Sequence, residues 1–328
     1  MRKRILYIQH AGALGGSAIS LLRLVEALDR SQFEPIVACI HPVPAILDLY
    51  RNSGIEVVYW PGIRDFMHTT GGWYPLYNPF MIIKLLNRMY YFLASVRATQ
   101  KLIEQYHPDI VHLNSLVLPS CAIATKRCNK PLVWHIRESV VSGHFGVRKR
   151  WLGYLVKRLA DEAIFISHDG RRLLVNNETG TVIPNSVDFA EFDFQIDGNK
   201  IRSELGLAPD AKVILFLGAR GVIKGIFPLL NAMPLVKKQV PNAVLLVGGG
   251  AYHFSGRILS SIARAILPLI GYGTVAQRVD KLLDCYQMHD YVYMLEWRKD
   301  VPHLLAACDV LVFPSTAPHF ARPVVEAG

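Results

Sequence analysis

Short apolar runs alternate along this chain with longer stretches whose apolar residues recur every third or fourth position, the pattern of strands alternating with amphipathic helices. ILYI (5–8), PIVACI (35–40) and EVVYW (56–60) read as strands. SAISLLRLVEALDR, with Ile19, Leu22, Leu24, Val25 and Leu28 on one side, reads as a helix. A loop rich in Gly, Pro and aromatics covers 64–79, and one long helix is expected from Phe80 to Tyr106. Strands follow at 109–115, 131–139 and 161–168, with a basic amphipathic helix at 144–160, and TVIPNSVD (181–188) closes this half. KVILFLG, NAVLLVG, YVYML and DVLVF then open further strands, with helices at 226–239 and 301–307 and a long basic stretch with an apolar face at 253–286.

The polar, acidic stretch from Asp188 divides this alternation. It predicts domains at 1–188 and 211–328, a linker at 189–210 holding a short helix, IRSELGL (201–207), and a hinge within Pro184 to Gly198. The fold class expected is α/β: two Rossmann-like domains facing across a cleft. Ligands in such sheets gather beyond the carboxyl ends of the strands, so the polar residues there are the candidate site. His112 and Asn114 end one strand; His135, Arg137 and Glu138 end another. Gly15-Gly16 opens the first helix, either letting backbone N–H groups approach a ligand or making a plain tight turn.

Composition changes this picture little. Hydrophobic residues make up 51% and charged residues 19%, as in a globular chain. The basic start followed by ILYI is too short an apolar run for a leader, and no apolar window is long enough to span a bilayer. Five cysteines, none in a CxxC pair, suit packing in a reducing compartment. A net charge of +10 favours anionic partners: no nucleic-acid module accompanies it, which leaves phosphorylated ligands or an anionic membrane surface. The long helix and the basic helix at 144–160 are the two segments suited to such a surface; covering the sheet is the alternative for the first, a solvated face for the second. A dinucleotide dehydrogenase is disfavoured, because no GxGxxG follows a strand.

Five stretches in order now carry a family resemblance: VIPNSVD (182–188), GARGVIKG (218–225), LLVGGG (245–250), EWRKDVPHLLAACDVLVFPS (296–315) and ARPVVEAG (321–328). With LGGSA, DIVHLNS and WHIRE in the first half, the chain resembles the retaining, nucleotide-sugar-dependent glycosyltransferases of family 4, which have the GT-B fold. The resemblance implies that Lys224 contacts the donor diphosphate, with Arg220 beside it, and that Glu326 binds the ribose hydroxyls. Trp297 and Arg298 would border the nucleobase, Gly15 and Gly16 would lie near the diphosphate and sugar, and His135 close to the sugar. The family's other glutamate is replaced by Pro318, so sugar recognition is expected to shift to His319 or the N–H groups of Phe320 and Ala321. Four strands in the second half, against about six in a full Rossmann-like domain, lead to the expectation that this domain is truncated at its C-terminus.

The expected reaction is transfer of a sugar from a nucleotide-diphosphate sugar to a glycan or lipid-linked acceptor. No DxD triplet occurs, so no metal or other cofactor is expected. Cationic side chains and helix N-termini would stabilise the leaving diphosphate. The resemblance implies retention of configuration, a cytoplasmic place at the inner face of a membrane, and a role in polysaccharide synthesis. Two other readings stay open: a non-catalytic sugar-nucleotide or glycan-binding remnant, suggested by Pro318, and a GT-B nucleotide-sugar epimerase.

Overall fold

The computed structural model describes residues 2–66, 79–140, 142, 144–249 and 274–328; the expectations for 67–78 and 250–273 lie outside them. The chain divides into two compact units, Met1–Ser186 and Val187–Gly328.

The first unit is built on seven parallel strands: β1 (Lys3–Gln9), β2 (Phe33–Cys39), β3 (Glu56–Tyr59), β4 (Ile110–Leu113), β5 (Leu132–Ile136), β6 (Glu162–Phe165) and β7 (Thr181–Val182). Their order is β3-β2-β1-β4-β5-β6-β7. The helices are α1 (Gly16–Glu26), α2 (Pro44–Asn52), α3 (Pro79–Tyr90), α4 (Phe92–Tyr106), α5 (Pro119–Arg127), α6 (Val147–Leu159) and α7 (His168–Val175).

Helices cover both faces, so the inner strands are apolar on alternate residues of both sets. Leu6, Ile8, Val111, Leu113, Leu132 and Trp134 pack with Leu102, Ile103, Cys121 and Leu152 from α4 to α6. Ile5, Tyr7, Val37 and Cys39 pack with Ala18, Leu21, Val25, Ile46 and Tyr50 from α1 and α2.

Where one continuous helix was expected from Phe80, the chain bends at Tyr91 and forms α3 and α4. The Ser95 hydroxyl, which accepts from Arg64 N at 3.0 Å, donates to Tyr91 O at 2.9 Å. A hydroxyl bonded back to the carbonyl four residues earlier competes with the helical ladder and bends it.

The second unit holds β8 (Lys212–Phe216), β9 (Ala243–Val247), β10 (Val292–Met294) and β11 (Val310–Leu311), all parallel in the order β10-β9-β8-β11. Its helices are α8 (Asn199–Glu204), α9 (Ile226–Gln239), α10 (Val275–Cys285), α11 (Val301–Ala307) and α12 (Arg322–Ala327). Phe216, Leu245 and Val247 face Ile226, Leu230, Met233 and Val279. Val213, Leu215 and Leu246 face Leu304 and Ile201.

The short helix expected within the linker is α8, and it is part of this core. Arg202 on α8 donates to Ala307 O, Ala211 O and Asp309 at 2.9–3.0 Å. Both sheets are doubly wound. In each, the strand order reverses direction beside one central strand, between β1 and β4 and between β8 and β11, and a crevice opens at the carboxyl ends there.

Candidate active site

At the first crevice, Gln9 ends β1 and shapes the loop leading to α1. Its amide nitrogen donates to Tyr50 Oη at 3.1 Å and Ser17 O at 3.3 Å; its amide oxygen accepts from His10 N at 2.8 Å and Ala11 N at 3.2 Å. Asn114, just past β4, reaches the same amide oxygen and Ser17 O through its own amide nitrogen. The loop delivers Gly15 in extended conformation (φ −174°) as the N-cap of α1, with no side-chain cap and no acidic residue in the first turn. Among the described residues, a Cβ on Gly15 would meet only Ala13 O, at 4.0 Å. Uncapped N–H groups at a helix N-terminus suit an anion.

Arg137 is the hub beside it. Its Nε donates to Asn114 Oδ1 at 2.7 Å, one terminal nitrogen donates to Asn185 Oδ1 at 2.8 Å, and the other lies 3.3 Å from His135 Nδ1. An arginine only donates, so Nδ1 accepts and the His135 proton sits on Nε2. That Nε2 is buried and has no hydrogen-bond partner among the described residues. Burial, with the Arg137 charge adding to it, pushes the His135 pKa down to about 2. Neighbouring His112 is pushed down to about 3 by the same two causes. His135 is thus a neutral hydrogen-bond donor, and a proton-shuttling role near neutral pH does not suit it.

Glu138 accepts from the Ser115 hydroxyl, from Leu116 N at 3.0 Å and from Arg137 N at 3.2 Å; His10 Nε2 lies 3.7 Å from it. Burial lowers the pKa of His10, which the Glu138 charge opposes.

At the second crevice the loop after β8 runs from Leu217 to Gly225 into α9. The loop after β11 crosses it: Thr316 N and Ser315 Oγ both donate to Ile223 O at 3.0 Å. Lys224 is half-buried between these loops, and desolvation alone lowers its pKa. It has no carboxylate partner among the described residues. His319 stacks on Phe313 with ring centres 5.8 Å apart and planes 10° from parallel. Its pKa is lowered by burial and then by the Lys224 charge. The Lys224 charge is thus felt at His319 near the start of a long helix, and an anion bound there would favour the charged form of both.

The remaining predicted residues are placed differently. Arg220 pairs with Asp280 on α10 at 3.3 Å. Arg298 forks onto Glu204 at 2.8 Å and Asp300 at 2.6–2.8 Å, which raises its pKa and ties the loop after β10 to α8. Trp297 is 50% exposed. Phe320 and Ala321 lead into α12, with Ala321 as its N-cap. Glu326 pairs with Arg322 on the same short helix, its side chain 8% exposed. Pro318 lies in the loop beside His319. So Lys224 and His319 come together, as do the Gly15-Gly16 loop and His135 through the Gln9–Asn114–Arg137 network. The sequence reading missed Gln9, Tyr50 and Asn185, which come from positions too far apart for any spacing to reveal.

Two doubly wound units, each with polar strand ends at its crevice, define the class: a GT-B type protein. Residues 14–191 match the family model Glycosyltransferase Family 4, and residues 197–328 match Glycosyl transferases group 1. The first match spans more than half of the chain, which therefore belongs to that glycosyltransferase family.

Among known proteins, the chain is 25% identical to a UDP-N-acetylglucosamine–N-acetylmuramyl-(pentapeptide) pyrophosphoryl-undecaprenol N-acetylglucosamine transferase of Levilactobacillus brevis. That match covers 74% of this chain and 61% of the relative, under two thirds of its length. The crystal structure of Anabaena HepE in complex with UDP and glucose is similar at a TM-score of 0.74 and 21% identity, over 99% of this chain and 78% of that one. A UDP-N-acetylglucosamine 2-epimerase shares the fold at a TM-score of 0.57 and 10% identity, over 95% of this chain and 74% of that one.

Proposed function

We propose that the chain transfers a sugar from a nucleoside-diphosphate sugar to a glycan or lipid-linked acceptor, without a metal and with retention of anomeric configuration. The observation that carries this reading is Lys224: a half-buried ammonium with no carboxylate partner among the described residues, next to a helix N-terminus where the loops after β8 and β11 are hydrogen-bonded to each other. A cation kept from water without an anion is a poor design for stability and a good one for holding a diphosphate.

In this mechanism the bond from the anomeric carbon to the diphosphate oxygen breaks. Lys224, His319 and the α9 N-terminus stabilise the charge that develops on the leaving diphosphate. The acceptor hydroxyl adds to the same face of the sugar, and its proton passes to the departing diphosphate. His135 Nε2–H and the α1 N-terminus supply neutral donors to ligand oxygens on the first unit. With Pro318 in place of a carboxylate, sugar hydroxyls are met by His319 and the backbone of Phe320 and Ala321. Glu326 reaches a ribose only by exchanging its bond to Arg322.

The UDP and glucose bound by HepE make UDP-sugars the first donors to try. Transfer from a UDP-sugar to a lipid-linked or glycan acceptor should fall about 100-fold or more in Lys224→Ala, by analogy with loss of one donor to a developing oxyanion. UDP binding, followed by calorimetry, should weaken with it. UDP binding without transfer would support the binding-remnant reading, which Pro318 favours. An epimerised free sugar nucleotide as product would overturn the transferase reading.

A further inference from the structure

The loops after β1, β2 and β3 carry polar side chains that the proposed mechanism leaves idle: His10, His41 and Asp65. Glu138, after β5, lies beside them, its carboxylate 3.7 Å from His10 Nε2. His41 stands against the loop that begins at His10, where a Cβ on Gly12 would meet its ring at 3.8 Å. The Asp65 charge is felt at both imidazoles. Arg88, from α3, pairs with Asp65 at 2.9 Å.

Two acceptors in this cluster have no donor. Burial lowers the pKa of His10, with the Glu138 and Asp65 charges opposing it, so the ring is neutral. Its Nε2 faces a carboxylate that only accepts, which puts the ring proton there and makes Nδ1 a bare acceptor. That Nδ1 is buried and has no hydrogen-bond partner among the described residues. Asp65 Oδ1 is likewise buried without a hydrogen bond among the described residues, since the Arg88 nitrogen near it is not aligned to make one. Glu138 differs: the Ser115 hydroxyl, Leu116 N and Arg137 N already donate to it.

A buried acceptor left unpaired costs on the order of 1–3 kcal/mol, so these two mark a place for a molecule that donates. Hydroxyls donate; phosphate and carboxylate oxygens do not. Charge narrows the choice further. The carboxylates of Asp65 and Glu138 are balanced by the guanidiniums of Arg88 and Arg137, which leaves no net charge to draw in an anion or a cation. His41, held below its ordinary pKa by burial, adds another neutral group able to bond a hydroxyl. His41 and Asp65 follow strands on the β2–β3 side of the crevice, to one side of the α1 N-terminus that suits an anion.

We propose that His10, His41 and Asp65 bind the acceptor as an uncharged sugar unit, whose hydroxyls donate to His10 Nδ1 and Asp65 Oδ1. The proposal rests on the transferase reading and deepens it. Of the acceptors which that reading leaves open, it selects one ending in a neutral sugar and rejects a bare lipid phosphate or an acidic sugar.

Saturation-transfer difference NMR on the purified chain compares the methyl glycosides of glucose, galactose and mannose with methyl glucuronide and glycerol 3-phosphate. At least one neutral glycoside should bind, about tenfold or more tighter than either anion. His10→Phe keeps a ring but removes the acceptor, and should weaken that binding about tenfold. His10→Asn, whose amide oxygen can take the place of Nδ1, should keep it within about threefold. Either anion bound as tightly as the glycosides, no neutral glycoside bound, or unchanged affinity in a folded His10→Phe would overturn the proposal. The comparison of neutral with anionic probes uses the unmodified chain, so it decides the matter even where a variant does not fold. UDP binding, read by calorimetry, separates the two readings. A chain that binds the glycosides but not UDP keeps the sugar site and loses the transferase reading; one that binds UDP but no neutral glycoside does the reverse.

Discussion

A neutral imidazole held below its ordinary pKa has a consequence for stability. His112 and His135 take up a proton at about 3 and about 2 when folded, and near 6.5 when unfolded. Between those values the unfolded chain binds protons that the folded chain refuses, so stability falls as pH falls below 6.5. The loss is about 1.4 kcal/mol per pH unit for each histidine once the unfolded imidazole is fully charged. His10, His41 and His319, also lowered, add to it. Urea unfolding between pH 7 and pH 5 measures the slope, and His135→Gln should flatten it by its share; an unchanged slope would mean the imidazole is not held neutral. The places of His135 just at a strand end and of Lys224 in a glycine loop were legible in the sequence, because strand ends and glycine loops mark themselves locally. The hub role of Arg137 was not, because its partners Asn114 and Asn185 lie 23 and 48 positions away.

At the scale of elements, the second crevice depends on how closely the loop before α9 approaches the loop after β11. Gly225 has φ +98°, and a Cβ there would lie 1.9 Å from Pro314 O. Gly206, after α8, also has positive φ (+63°), but a Cβ there meets nothing within 4 Å. Gly225→Ala should therefore cost about 3 kcal/mol or more, backbone strain plus a clash with main chain that cannot yield; Gly206→Ala should cost only about 1–2 kcal/mol of strain. Chemical denaturation of the two variants decides it, and equal losses would mean the loops do not interlock as described. The strands and most helices could be read from apolar periodicity, because parallel strands buried on both faces form short unbroken apolar runs. The bend at Tyr91 could not, because it depends on Ser95 being bonded by Arg64 from another part of the chain. Nor could the place of α8, whose polar surroundings resemble a linker although Ile201 is fully buried.

At the scale of the whole molecule, two units of unlike sequence follow one rule: each gathers its polar loops where the strand order reverses. Strand alternation made the two-unit α/β fold legible, but which strands flank each crevice depends on crossovers that no local pattern records. The crevice in the second unit joins residues 218–225 to 315–321, about a hundred positions apart, and only folding makes them one site. If a nucleoside diphosphate binds there, it should bridge both loops at once. Hydrogen exchange with and without UDP should then show slower exchange at amides of 218–226 and 315–321 together, since a ligand held by Lys224 and His319 restrains both loops. Lys224→Ala should remove the slowing in both segments, because losing the ammonium loses the anion that links them. Slowing confined to the loops after β1, β4 and β5 would instead place the nucleotide on the first unit, and the pairing of Lys224 with the diphosphate would fail.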